Sequence, residues 1–226
     1  MAISIVQGPI YTPWTQTSTN VLISVTGVTP GNFGVVCINF FDSSGSTTTF
    51  GCSDGQGAYT ADFFANYSGL QVATFSLANL NSGTHNLNVT TTSLAANTHG
   101  QAAFYELSGG VTAVDQFVSA SNNSTGPVAS GSTAPLNAAN EILFALAVTA
   151  NTVATIPPTG GPGTYTQDIN RTDAGIFYLA HQIQTTGTSA VSNTYGTQTS
   201  GKWIDATVTY QSPAIIGNTL LGQICT

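Results

Sequence analysis

The sequence predicts an all-β protein, an antiparallel β-sandwich of jelly-roll type with about a dozen strands. Three observations predict it. Apolar and polar residues alternate with a period of two in one stretch after another, and helical periodicity is nearly absent. The apolar stretches are short and separated by clusters of Gly, Pro, Asn and Ser. The composition allows a core but little surface charge: of 226 residues 41% are hydrophobic and only 5% charged, against roughly 25% charged in ordinary domains. Eleven Phe and eight Tyr argue against a disordered chain, which would be poor in aromatics.

The elements follow in order. Thr29-Pro30-Gly31-Asn32 is a turn, and Val35 to Phe41, apolar on both faces, reads as a central strand. Asp42-Ser43-Ser44-Gly45 turns the chain again. Asp54-Gly55-Gln56-Gly57 loosely resembles a calcium loop but lacks alternating Asp and Asn ligands, so a plain turn is predicted. After Asn81-Ser82-Gly83, His85, Leu87 and Val89 share one face, while Thr84, Asn86, Asn88 and Thr90 share the other. That is a half-buried strand. Ala102 to Leu107, Ile142 to Val148 and Ile176 to Ile183 are apolar on both faces and read as further central strands. Ser119 to Pro135 and Ile156 to Gly163 read as exposed loops. Ile204, Ala206, Val208 and Tyr210 alternate with Trp203, Asp205, Thr207 and Thr209, which predicts a last half-buried strand. No sequence repeat or linker stands out, so residues 1–212 are expected to form one sandwich, with two immunoglobulin-like domains as the alternative.

Residues 213–226 form an apolar, uncharged tail after Ser212-Pro213. Left exposed, such a segment invites aggregation. Ile215, Ile216, Leu220, Leu221 and Ile224 are therefore expected either to cover their own sandwich or to form an assembly contact with another copy.

Charge excludes several functions. The net charge is −7 and the only cations are Arg171 and Lys202. Neutralising phosphates takes clustered cations, so neither nucleic acid nor an anionic membrane surface is an expected partner. The longest apolar run, Ile142 to Val148, is too short to span a bilayer as a helix. The N-terminal stretch lacks the basic region of a secretory signal. Cytosolic synthesis joined to an extracellular type of surface fits a virion protein released by lysis, with a secreted protein as the alternative. Cys37, Cys52 and Cys225 show no metal spacing. Cys37 and Cys52 are expected as buried thiols, with a disulfide across adjacent strands as the competing arrangement.

Candidate chemistry is sparse. Glycoside hydrolysis usually needs two carboxylates flanking one bond, and Glu106 and Glu141 share no motif. His85, His99 and His181 accompany no nucleophile elbow and no ligand spacing. No catalytic residue, metal or cofactor is predicted. Aromatic residues near loops offer another route to a site, since apolar ring faces suit the C–H faces of sugars. Tyr59, Tyr67, Tyr165, Tyr195 and Trp203 are the candidates for glycan stacking, with Tyr11 and Trp14 beside them. For each, packing in the core is the competing role.

Five segments carry a resemblance. They are Ser53-Asp54-Gly55-Gln56-Gly57-Ala58-Tyr59-Thr60, Ser82-Gly83-Thr84-His85-Asn86-Leu87-Asn88-Val89-Thr90, Tyr105-Glu106-Leu107-Ser108-Gly109, Asp115-Gln116 and Asn140-Glu141-Ile142-Leu143-Phe144. In this order, over Val21 to Tyr210, the chain resembles a diffuse group of β-sandwich surface proteins from phages and environmental bacteria. The resemblance implies a jelly-roll or lectin-like fold and a location on a virion or cell surface, and it supplies no catalytic residues. The expectation is a non-enzymatic virion structural or decoration protein. Its expected partners are further copies of itself and a capsid or tail protein. The alternative is a carbohydrate-binding module or adhesin, secreted or at a virion tip.

Overall fold

The computed structural model describes residues 2–14, 18–92, 98–172 and 176–212. The chain is all-β and every strand pairing is antiparallel. Its first half holds β1 (Ser4–Trp14), β2 (Asn20–Val28), β3 (Phe33–Phe41), β4 (Phe50–Asp54), β5 (Gly57–Ala58), β6 (Thr60–Tyr67), β7 (Leu70–Leu77), β8 (Gly83–Thr91) and β9 (His99–Ser108). The second half holds β10 (Ala113–Asn123), β11 (Gly126–Ala129), β12 (Glu141–Thr149), β13 (Thr166–Arg171), β14 (Ile176–Gln184), β15 (Thr194–Gln198) and β16 (Lys202–Gln211).

The four sheets lie in four layers. The order β1-β9-β3-β7-β6 forms one large sheet, and β10-β16-β12-β14-β13 forms the other. These two face each other across the central core, where Val35, Cys37, Val72 and Tyr105 meet Phe144, Leu146, Leu179 and Val208. The small sheet β2-β8-β4-β5 covers the outer face of the first large sheet, burying Trp14, Ile23, Leu87 and Phe104. The pair β11-β15 covers the outer face of the second, burying Val128, Leu143, Tyr178 and Tyr195. Successive side chains of a strand point to opposite faces. A strand in either large sheet therefore feeds two cores, which is why β3, β9, β12 and β14 read as apolar on both faces.

The two halves have the same plan. Renumbering β1, β9, β3, β7 and β6 as β10, β16, β12, β14 and β13 turns one large sheet into the other. The pair β2-β8 corresponds to β11-β15, and β4 beside β8 corresponds to bridges from Val153 and Thr159 to β15. A short motif marks the repeat: Tyr59-Thr60-Ala61-Asp62 enters β6, and Tyr165-Thr166-Gln167-Asp168 enters β13. Each motif has a register shift at its Asp, between Ala61 and Phe63 and between Gln167 and Ile169. A bulge at the same place in both halves is a retained feature of one supersecondary plan. The chain thus contains a repeat that its sequence pattern does not advertise.

Two other expectations change, and the expectation of two buried thiols holds. The stretch Ser119 to Pro135 is only partly loop, since β10 runs to Asn123 and β11 follows. The strand β16 is buried on both faces, because β11-β15 covers the face carrying Trp203, Asp205 and Thr207. Cys37 and Cys52 do not oppose each other. Both are free thiols, Cys37 in the central core and Cys52 in the outer core on the far side of the first large sheet. The tail residues Ile215, Ile216, Leu220, Leu221 and Ile224, and Cys225, lie outside the described residues.

Candidate functional site

The polar groups placed with most care sit inside the central core. On β9, Tyr105 donates its hydroxyl to Asp168 Oδ2 on β13 at 2.6 Å. On β16, Tyr210 donates to Asp62 Oδ2 on β6 at 2.8 Å. The arrangement is reciprocal: each half supplies a Tyr from its second strand of the sheet and an Asp from its edge bulge. The third partner also comes from equivalent places, since Thr60 pairs with Ser76 and Thr166 with His181. Ser76 lies against Asp62 and favours its charged form, while His181 Nδ1 donates to Asp168 at 2.8 Å. Asn39 adds a bond between the sheets, from Nδ2 to the Ala147 carbonyl at 3.0 Å.

Burial sets the protonation of these groups. It pushes the phenols of Tyr105 and Tyr210 far up, and the neighbouring Asp168 and Asp62 push them further. Both therefore stay neutral donors. Asp62 is itself raised, because its burial outweighs the bonds from Ser76 and Tyr210. Asp205, fully buried under sheet β11-β15, is held well above the usual carboxylate range by desolvation. The Asn193 amide and the Ala206 backbone N–H lie nearby but close no well-formed bond to it.

The carboxylates considered for hydrolysis lie on opposite sides of the central sandwich. Tyr105 faces the central core, so Glu106 faces the other way, toward β2-β8. There it accepts from Thr29 N at 2.9 Å, from Asn32 Nδ2 at 2.6 Å and from Gln7 Nε2. Burial alone would raise its pKa, but these donors outweigh it and hold the group low. Glu141, fully buried, precedes the inward-facing Ile142 and so faces sheet β11-β15. Desolvation, aided by the nearby Asp115, pushes it up to about 8. Two sheets separate the pair, and each carboxylate is spent on local structure. Asp54 likewise closes a plain turn, accepting from Gln56 N and Gly57 N while pairing with His85 at 2.6 Å. Among the described residues no group of three or more His, Cys, Asp or Glu is placed to share a metal ion.

The stacking candidates are displaced by packing. Tyr59 lies in one outer core, and Tyr165, Tyr195 and Trp203 lie in the other. Their ring faces are covered, so none of the four can stack on a ligand arriving from solvent. Tyr67 packs partly buried against the central core. Tyr11 is 51% exposed, and it lines a shallow recess with Pro13, Asn170 and Arg171. Sequence reasoning passed over Asp62, Asp168, Tyr105 and Tyr210. The signal that would have found them is the doubled Tyr-Thr-x-Asp motif.

No protein family, curated protein or solved structure matches this chain. The functional reading therefore rests on its own residues.

Proposed function

We propose that the chain is a non-enzymatic structural or decoration protein of a virion, packing against further copies of itself and against a capsid or tail protein. One observation carries this reading. None of the described Asp, Glu, Lys, Arg or His side chains is exposed. The few described charges are half-buried or buried, most of them held in hydrogen bonds, and the exposed polar surface belongs mainly to Thr, Ser, Asn, Gln and Gly. Surface charge normally keeps proteins apart in solution. A described surface so poor in charge meets less like-charge repulsion between crowded copies, and its burial desolvates few ions.

The strand order supports the reading at the level of architecture. In the first half β1-β9-β3-β7 faces β2-β8-β4-β5, and the second half repeats the plan. In each half the first and last strands are neighbours and the chain crosses repeatedly between its large and its small sheet, an arrangement compatible with a jelly roll. That fold builds many capsid proteins and also lectins, so the fold does not choose between them. The scarcity of surface charge among the described residues is what favours assembly. Ile215, Ile216, Leu220, Leu221 and Ile224 are proposed to add to the contact.

The test is mass spectrometry of purified particles, together with light scattering of the isolated protein at low and high salt. The protein is expected in the particles in structural amounts, and its self-association is expected to change little with salt. Absence from particles, or a monomer at every concentration, overturns the proposal.

A second reading has its own observation. Exposed Tyr11 beside Asn170 and Arg171 offers a ring face with polar groups at its edge, which suits a sugar. A glycan array with the intact protein and with Tyr11→Ala decides it, binding lost in the variant supporting the reading.

A further inference from the structure

At one end of the central sandwich the two large sheets part around a cavity of about 470 Å³. Phe41 and Leu70 line it from the first half, and Val148 and Ile176 from the second. Leu70 and Ile176 open the equivalent strands β7 and β14. The cavity is thus a product of the repeat: each half brings the same end of its sheet to the same place. Its size lies within the range of small-ligand sites, roughly 300–1,000 Å³.

The rim carries the single Lys of the chain, Lys202. Its Nζ reaches across from β16 to the turn between β6 and β7 and donates to Ser68 Oγ at 2.6 Å. That acceptor is neutral, and no carboxylate among the described residues lies within salt-bridge distance of Lys202. The described acids are engaged elsewhere or buried away from it. An ammonium group has three N–H donors. Here one goes to a hydroxyl, and Lys202 borders an apolar cavity whose described lining holds no group of opposite charge.

We propose that this cavity binds one medium-chain fatty acid, its aliphatic tail between Phe41, Leu70, Val148 and Ile176 and its carboxylate on the Lys202 amine. One cation beside one apolar volume matches a single-chain acid. A nucleotide or other polyanion would need more cations, and an uncharged hydrocarbon would leave the amine without an anion. Pairing with an ionised acceptor gives a stronger bond than the one to Ser68.

The test uses the full-length chain, with decanoate as the probe and decanol as its uncharged twin, followed by titration calorimetry. The expected result is one decanoate per chain, bound more tightly than decanol. Lys202→Gln should weaken decanoate by at least about tenfold, as expected for loss of a charge-assisted contact, and leave decanol nearly unchanged. Lys202→Arg should recover decanoate binding. Ala150→Phe, at an exposed rim position, should fill the mouth and abolish both. Should Lys202→Gln not fold, the preference of the intact protein for decanoate and the effect of Ala150→Phe decide instead. The proposal is overturned by absence of decanoate binding, by equal binding of decanoate and decanol, or by binding that survives Ala150→Phe. Failure here leaves the virion reading untouched, because particle mass spectrometry does not depend on this cavity.

Discussion

At the scale of single residues, the acids govern how stability responds to pH. Glu141 is pushed from 4.5 up to about 8 by burial and by Asp115, and burial raises Asp62 and Asp205 in the same direction. A carboxyl whose folded pKa lies above its unfolded value holds its proton more tightly when folded. Its contribution is complete below the unfolded pKa and is lost as pH rises through the folded one. For Glu141 that window runs from about 4.5 to about 8. Glu106, held low by its donors, works the other way: its contribution is complete above the unfolded pKa and is lost as pH falls through the lowered folded one. The unfolding midpoint is therefore expected to fall between pH 5 and pH 9, and Glu141→Gln, which fixes the neutral form, should flatten that slope. Thermal melts across the range check both. A midpoint that climbs from pH 5 to pH 8, or an unchanged slope in the variant, contradicts the assignment.

At the scale of strands, period-two patterning reported one face at a time. His85, Leu87 and Val89 are buried on β8 as their alternation predicts, and β3, β9, β12 and β14 are central as their unbroken apolar runs predict. Pattern failed where burial depends on a cover that looks like a loop. Strand β16 read as half-buried because Asp205, Thr207 and Thr209 are polar, yet the cover above them comes from a Ser-, Asn- and Gly-rich stretch. The same cover hides Tyr165, whose Gly- and Pro-rich neighbours made it look accessible, and carries Tyr195 inward on β15. Position in the sheet should also rank the cost of losing an aromatic. Phe144 lies on central β12 and contacts Tyr105 and Tyr210, so Phe144→Ala should cost about 3–5 kcal/mol. Phe117 lies on edge strand β10, is 54% exposed and touches only Phe63 among the described aromatic rings, so Phe117→Ala should cost less than about 1 kcal/mol. Urea unfolding of both variants measures the ranking, and equal costs would mean that the central core is not the main source of stability.

At the scale of the whole molecule, the central core is an interface between two copies of one plan. The repeat was hard to read in the sequence because an antiparallel sandwich constrains polarity at each position far more than identity. Only the bulge with its Tyr-Thr-x-Asp kept its residues. The reciprocal bonds, Tyr105 to Asp168 and Tyr210 to Asp62, are what a twofold dimer would make, where one patch meets itself. The first half contains both members of that pair, since Asp62 and Tyr105 lie on the same sheet face as Val35 and Val72. Expressed alone as residues 1–111, it would expose this apolar face, and a monomer would leave Phe33, Val35, Val72 and Leu107 in water. A second copy can cover them, with Tyr105 of each chain reaching Asp62 of the other. The expected species is a homodimer, detected by sedimentation, that Tyr105→Phe loosens by about 1–3 kcal/mol through an acceptor left buried without its donor. A folded monomer of this half would show that the two large sheets are joined by their tether alone, and that the reciprocal bonds do not hold the halves together.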